Sequence, residues 1–138
     1  MTSTGVAREI HPRISFYEDQ GRYRGIFGWI FSTDHKRIGL LYLCAILTFF
    51  FTGVVLGFLM RLEMIAPGGA IMKAQTYNAI FTLHGVIMIF LVVIPAIPTV
   101  FGNFFLPVQI GAREVAFPRV NLLSWWVYIS GAILVIIS

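Results

Sequence analysis

Charge is scarce in this sequence. Of 138 residues, 10 are Lys or Arg and 6 are Asp or Glu, 12% in all, where a soluble domain carries about 25%. So few charges cannot keep a chain that is 58% hydrophobic dispersed in water. An ordinary soluble domain is therefore excluded as the first reading, and a membrane protein takes its place. Cysteine is almost absent. Cys44 is the only one, so no internal disulfide can form and no cysteine pair exists for zinc. Its position in an apolar run reads as a small core residue. Walker motifs, dinucleotide fingerprints, zinc spacings and nucleophile elbows are missing as well. The net charge of +4 is scattered beside apolar runs rather than gathered, which argues against a nucleic-acid partner and for membrane topology.

What the chain does have is three long apolar stretches, and these predict an all-α membrane protein built as a polytopic helix bundle. Residues 1–37 are polar and form an N-terminal arm with six Lys or Arg among four acids; this is not the pattern of a cleaved signal. The first span is expected over 38–60, about 35 Å of helix at 1.5 Å per residue, followed by an outer loop over 61–76. The second is expected over 77–106, longer than a bilayer needs, with Pro95 and Pro98 kinking it. An inner loop over 107–120 leads to a third span over 121–138. That span stays apolar to its last residue and reads as incomplete. The chain is accordingly read as the N-terminal part of a larger polytopic protein, or as one piece of a split one. Lys and Arg are dense in the arm, and Arg113 and Arg119 follow the second span. This distribution places the N-terminus inside and the first loop outside.

His84 is the residue of greatest interest. It stands in Tyr77-Asn78-Ala79-Ile80-Phe81-Thr82-Leu83-His84-Gly85-Val86-Ile87-Met88, about two turns below the outer surface. An ionisable side chain at that depth is costly and marks a functional site by default, and imidazole is a common metal and haem ligand. From its environment alone two readings stand: a ligand or proton relay, and a histidine hydrogen-bonded to a neighbouring helix. Gly85 offers close approach to a flat cofactor or to another helix. Phe81, Met88 and Leu91 share a face with His84, as a cofactor wall or as plain packing. Glu114, Asn103 and Asn121 gather at the inner ends of the second and third spans, where they either order water or serve as caps and turn residues. Arg61 snorkels to headgroups or donates to a buried group. Glu63, followed by Pro67-Gly68-Gly69, offers oxygen to a hard cation, a weak signal from one carboxylate. Trp125, Trp126 and Tyr128 fit an interfacial aromatic belt.

Several segments taken together resemble subunit I of the haem–copper terminal oxidases, the cytochrome c oxidase type. They are Ser32-Thr33-Asp34-His35-Lys36-Arg37-Ile38-Gly39, Met60-Arg61-Leu62-Glu63 with Pro67-Gly68, His84 through Phe90, Gly102-Asn103 through Pro107, and Ala116-Phe117-Pro118-Arg119. The likeness covers about residues 31–138 in order. It implies the first three helices of a subunit of about twelve, in a bacterial inner membrane with the N-terminus cytoplasmic, reducing O2 to water with electrons from cytochrome c.

The resemblance implies roles position by position. His84 would be one axial ligand of a low-spin haem, haem A, with Arg61 at its formyl group and Met88 and Tyr77 beside it. Glu63 and Gly68 would belong to a calcium or sodium site. Glu114 would be the mouth of the D proton pathway, with Asn103, Asn121 and Tyr42 just inside. The high-spin haem and copper would have their ligands beyond this segment, in the rest of subunit I. The partners would be that remainder, a copper-bearing subunit II, cytochrome c and lipid. Three places depart from the family pattern. The mouth carboxylate is Glu114 after Arg113 rather than Asp after Pro. Asp34 precedes His35, and Pro98-Thr99-Val100 replaces a common Gly-Gly pair. A quinol oxidase of the same superfamily is the nearest alternative. A nitric oxide reductase fits less well, and a channel, a transporter or an accessory subunit without cofactor come from other classes.

Overall fold

The computed structural model describes residues 25–65, 67–68, 71–112 and 115–137. A short helix, α1 (Ile26–Ile30), lies ahead of the first span. It is tied to the helix that follows by Trp29, whose ring lies 5.8 Å from the Arg37 guanidinium carbon.

The first span is α2 (His35–Glu63). Hydropathy alone starts it three residues later, because His35, Lys36 and Arg37 are polar. The true start is set by Asp34, whose Oδ1 accepts the Lys36 N–H at 2.9 Å and so satisfies one of the orphan donors of the first turn. At the other end the helix runs on through Arg61 to Glu63. This leaves a first loop shorter than the one expected over 61–76.

The second span is a continuous rod of 36 residues, Ala74–Gln109. It begins as α3 (Ala74–Val86), widens over Ile87–Val93 and Ala96–Phe101 into π-helical turns, and closes as α4 (Gly102–Gln109). In the wide turns N–H groups reach five residues back, as Ile94 does to Ile89. The prolines are absorbed in this stretch. Pro95 has no N–H for the Leu91 carbonyl, and the Tyr128 hydroxyl of the third span donates to that oxygen instead, at 2.7 Å. Thr99 Oγ1 donates to the Pro95 carbonyl at 2.6 Å. Tyr128→Phe should therefore remove one hydrogen bond to this carbonyl in an apolar setting, costing about 1 kcal/mol. A lower thermal midpoint of the complete protein, with the fold retained, is the expected measurement.

The third span, α5 (Pro118–Ile137), opens on a proline at its first helical position, where the missing N–H costs nothing. Residues 118–120 therefore belong to the helix rather than to the loop expected over 107–120.

The three spans pack around Ile38, Tyr42, Ile46, Ile87, Leu91, Val92, Trp125 and Ala132. The Tyr42 ring meets Trp125 edge-on at 5.1 Å and Tyr128 at 5.3 Å. Trp125 and Tyr128 are thus part of the packing between helices. Of the three residues assigned to an interfacial belt, Trp126 alone is exposed. Cys44, read as a core residue, is exposed on the outer side of α2. No span has more than 22% of its apolar stretch buried within the chain. The large side chains that point outward, Phe51, Phe90 and Leu134 among them, suit lipid or further protein and not water.

α2 and α4 approach closely at Gly39. A Cβ there would lie 3.0 Å from the Phe104 ring and 3.1 Å from Asn103 Cβ. This contact fixes the end of the bundle where α2 starts, called the His35 end below. The opposite end is the Glu63 end.

Candidate functional site

Two polar sites are built into this frame, one toward each end. Nearer the Glu63 end, His84 is half-buried on α3 and faces α2. Its Nδ1 lies 2.8 Å from the Gly53 carbonyl oxygen. A carbonyl can only accept, so Nδ1 must carry the proton, and in the neutral ring the lone pair then sits on Nε2. This is the arrangement in which a metal-binding imidazole is usually held, with one nitrogen tied to a carbonyl and the other presented to the metal. The residues present therefore fit a haem iron at Nε2. They equally satisfy the plainer reading of a histidine bonded to a neighbouring helix, since Gly53 belongs to α2.

Close approach at His84 comes from α2, not from Gly85, which has open space around it. A Cβ on Gly57 would stand 3.1 Å from His84 Cε1, and one on Gly53 would stand 2.5 Å from Met88 Sδ. Gly53 and Gly57 were not singled out in the sequence, although Gly53-Val54-Val55-Leu56-Gly57 is the small-xxx-small spacing of tightly packed membrane helices. Arg61 follows one turn later along the same face and is exposed. Phe81 is exposed, Leu91 is buried in the core, and Met88 packs against the Gly53 notch. Tyr77 is half-buried, and its hydroxyl reaches Met64 Sδ at 3.7 Å.

Glu63 is buried. Its Oε2 accepts the backbone N–H groups of Met72 at 2.9 Å and Ile71 at 3.1 Å. The carboxylate thus staples the loop back onto α2. Gly68 turns the loop with a left-handed φ of 103°. Among the described residues no three His, Cys, Asp or Glu side chains gather to hold a metal ion. A cation at Glu63 and Gly68 would have to rely on Oε1 and backbone carbonyls. Glu63→Ala should strip both amides of their acceptor and cost about 1–3 kcal/mol. Faster proteolysis within 66–72, with Glu63→Gln falling between mutant and parent, is the expected readout.

Toward the His35 end a string of polar groups crosses all three spans. Asn103 is buried; its Oδ1 accepts from Asn121 Nδ2 at 2.5 Å and its Nδ2 donates to the Thr99 carbonyl at 2.6 Å. Ser124 Oγ donates to the Asn121 carbonyl at 2.7 Å. That uses its only proton, so in the 2.8 Å contact between Ser124 Oγ and the Tyr42 hydroxyl the tyrosine is the donor. The fold thus brings together Asn103, Asn121 and Tyr42, and adds Ser124 and Thr99, which had no sequence signal beyond their polarity. Glu114 and the neighbouring Arg113 lie outside the described residues.

Fold and sites together define a class: a multi-pass α-helical membrane protein that presents one imidazole between two spans and a hydrogen-bonded polar string near the opposite end. Comparison with known proteins makes this specific. The family model for polypeptide I of the cytochrome c and quinol oxidases matches residues 37–138, and the chain belongs to that family. A Streptomyces avermitilis protein named "Probable cytochrome c oxidase subunit 1-alpha" is 43% identical over 108 residues, which cover 78% of this chain and 18% of that protein. A protein of Alkalihalophilus pseudofirmus named "Cytochrome c oxidase subunit 1" is 40% identical over 113 residues, covering 82% of this chain and 18% of its own length. The chain spans about a fifth of the length of the curated relatives it matches.

Proposed function

We propose that this chain forms the first three spans of the catalytic subunit of a respiratory terminal oxidase that reduces O2 to water. In this reading His84 is one axial ligand of its low-spin haem. The observation that carries it is the Nδ1 hydrogen bond to Gly53, which leaves Nε2 as the free donor atom. When bound, the haem, haem A on this reading, supplies one-electron transfer. The chain's own residues hold it. His84 would give the iron ligand, Arg61 a charge for a polar substituent on the ring, and Met88 and Tyr77 the flanking surface. The second axial ligand and the ligands of the high-spin haem and copper would come from the remainder of the subunit.

The polar string would serve proton uptake, with Glu114 as the outermost acid. Asn103, Asn121, Ser124 and Tyr42 would hold the donors and acceptors on which water orders. The distribution of Lys and Arg supports a cytoplasmic His35 end, and the bacterial relatives support an inner-membrane location. His84 then sits toward the outer side and the polar string toward the inner one, the separation that charge transfer across a membrane requires. Cytochrome c is the favoured donor, from the names of the relatives. Quinol stays as the second reading, because the family's description covers both. Copper-bearing subunit II and the other oxidase subunits would be its partners.

A visible spectrum of the complete purified protein tests this directly. Reduction should develop the bands of a six-coordinate low-spin haem beside those of a high-spin one. A protein that assembles without haem would overturn the proposal.

A further inference from the structure

We infer that Gly53 and Gly57 of α2 are positioning residues for His84, jointly fixing its ring orientation and the strength of its Nδ1 hydrogen bond. This rests on the haem-ligand reading above. Three observations carry it. The Gly53 carbonyl takes the Nδ1 proton at 2.8 Å, at the short side of the usual 2.9–3.0 Å for such bonds. The ring lies against Gly57 so closely that a Cβ would be 3.1 Å from Cε1 and 3.5 Å from Nδ1. One turn further along the same face, Met88 fills the place of the missing Gly53 side chain, 2.5 Å from a Cβ there for Sδ and 3.0 Å for Cγ. Other glycines of these spans, Gly85, Gly102 and Gly131, have open space around them. The one other crowded glycine described in these spans, Gly39, meets Phe104 and Asn103 at the opposite end, so at this end the crowding falls on the histidine and its neighbour.

The chemical consequence follows from the tautomer. A carbonyl that draws on the Nδ1 proton makes the imidazole a stronger donor at Nε2. A stronger donor favours ferric over ferrous iron and lowers the reduction potential. α2 would thus tune the haem through a backbone oxygen and an empty Cβ position, without contributing a side chain.

The test uses the complete protein. Gly57→Ala should push the ring away from α2 and lengthen the Nδ1 bond. The expected result is a raised potential for the low-spin haem and a shift of its reduced band, at unchanged haem content and with the high-spin haem unaffected. Gly53→Ala should act in the same direction by displacing Met88. If the glycines matter only for helix packing, thermal stability falls while the potential stays, and the inference is overturned. Should the alanine variants not assemble, electron–nuclear double resonance on the unmodified ferric protein decides. A strongly hydrogen-bonded exchangeable proton on Nδ1 supports the inference, and its absence overturns it. His84→Ala separates the two claims. If that variant keeps its low-spin haem, the ligand reading fails. If it loses the haem while the glycine variants keep the parent potential, the positioning role alone fails.

Discussion

Replacing His84 by alanine in the complete protein should abolish the low-spin haem's absorption bands while the polypeptide still inserts in the membrane. The side chain makes one hydrogen bond, to the Gly53 carbonyl. Its removal leaves that oxygen without this partner, a cost of about 1–3 kcal/mol, too little to prevent three apolar helices from inserting. The metal chemistry is affected far more. A six-coordinate haem needs both axial donors, and no other imidazole in the described part of this span could replace Nε2. His35, the other described histidine, is at the opposite end of α2. The experiment compares reduced-minus-oxidised spectra at matched polypeptide. Unchanged bands in the assembled variant would remove His84 from the haem site. Loss of the bands together with loss of electron delivery is the expected outcome.

The second large effect is expected at Asn103. Asn103→Leu keeps the number of side-chain heavy atoms and the branch at Cγ but breaks both ends of the amide pair. The Asn121 amide loses its acceptor and the Thr99 carbonyl its donor. Each orphaned group costs about 1–3 kcal/mol when it stays buried. A rise of only about 1.4 kcal/mol in the barrier for proton uptake slows turnover tenfold. Oxygen consumption should therefore fall at least about tenfold at full haem content, with electron transfer into the low-spin haem preserved. Undiminished turnover would show that the amides are structural ties and not part of a proton route.

The spans could be read from the sequence because lipid imposes a single requirement, an unbroken apolar length, which appears directly in the residues. Their ends could not be read in that way. Asp34 and Glu63 are set by hydrogen bonds to Lys36, Ile71 and Met72, and hydropathy is blind to those. Trp125 and Tyr128, read as part of an interfacial belt, pack between the helices for a related reason. Their preference for a membrane boundary is an average, and here specific partners hold them: the Leu91 carbonyl for the Tyr128 hydroxyl and the Tyr42 ring for Trp125. Cys44 had no pattern to show which side of α2 it takes, since that helix is apolar all round. At the site, His84 was conspicuous because ionisable groups are rare in lipid. Gly53 and Gly57 were not, because a glycine's role depends on what lies across from it. Asn103 and Asn121 were legible as polar residues at the inner ends of two spans and Tyr42 only through the family resemblance, whereas the order in which these groups donate to one another needed coordinates.

The tyrosine cap on Leu91 also bears on how the protein is made. The second span takes one donor for its backbone from 37 positions later, the Tyr128 hydroxyl on α5. A second span alone in the bilayer would lack this hydrogen bond beside its proline, in a medium that supplies no water to replace it. Translation supplies the two helices one after the other, and their lowest-energy route into lipid is side by side. Docking of the third span against the second thus supplies a backbone hydrogen bond at the proline turn that hydrocarbon could not.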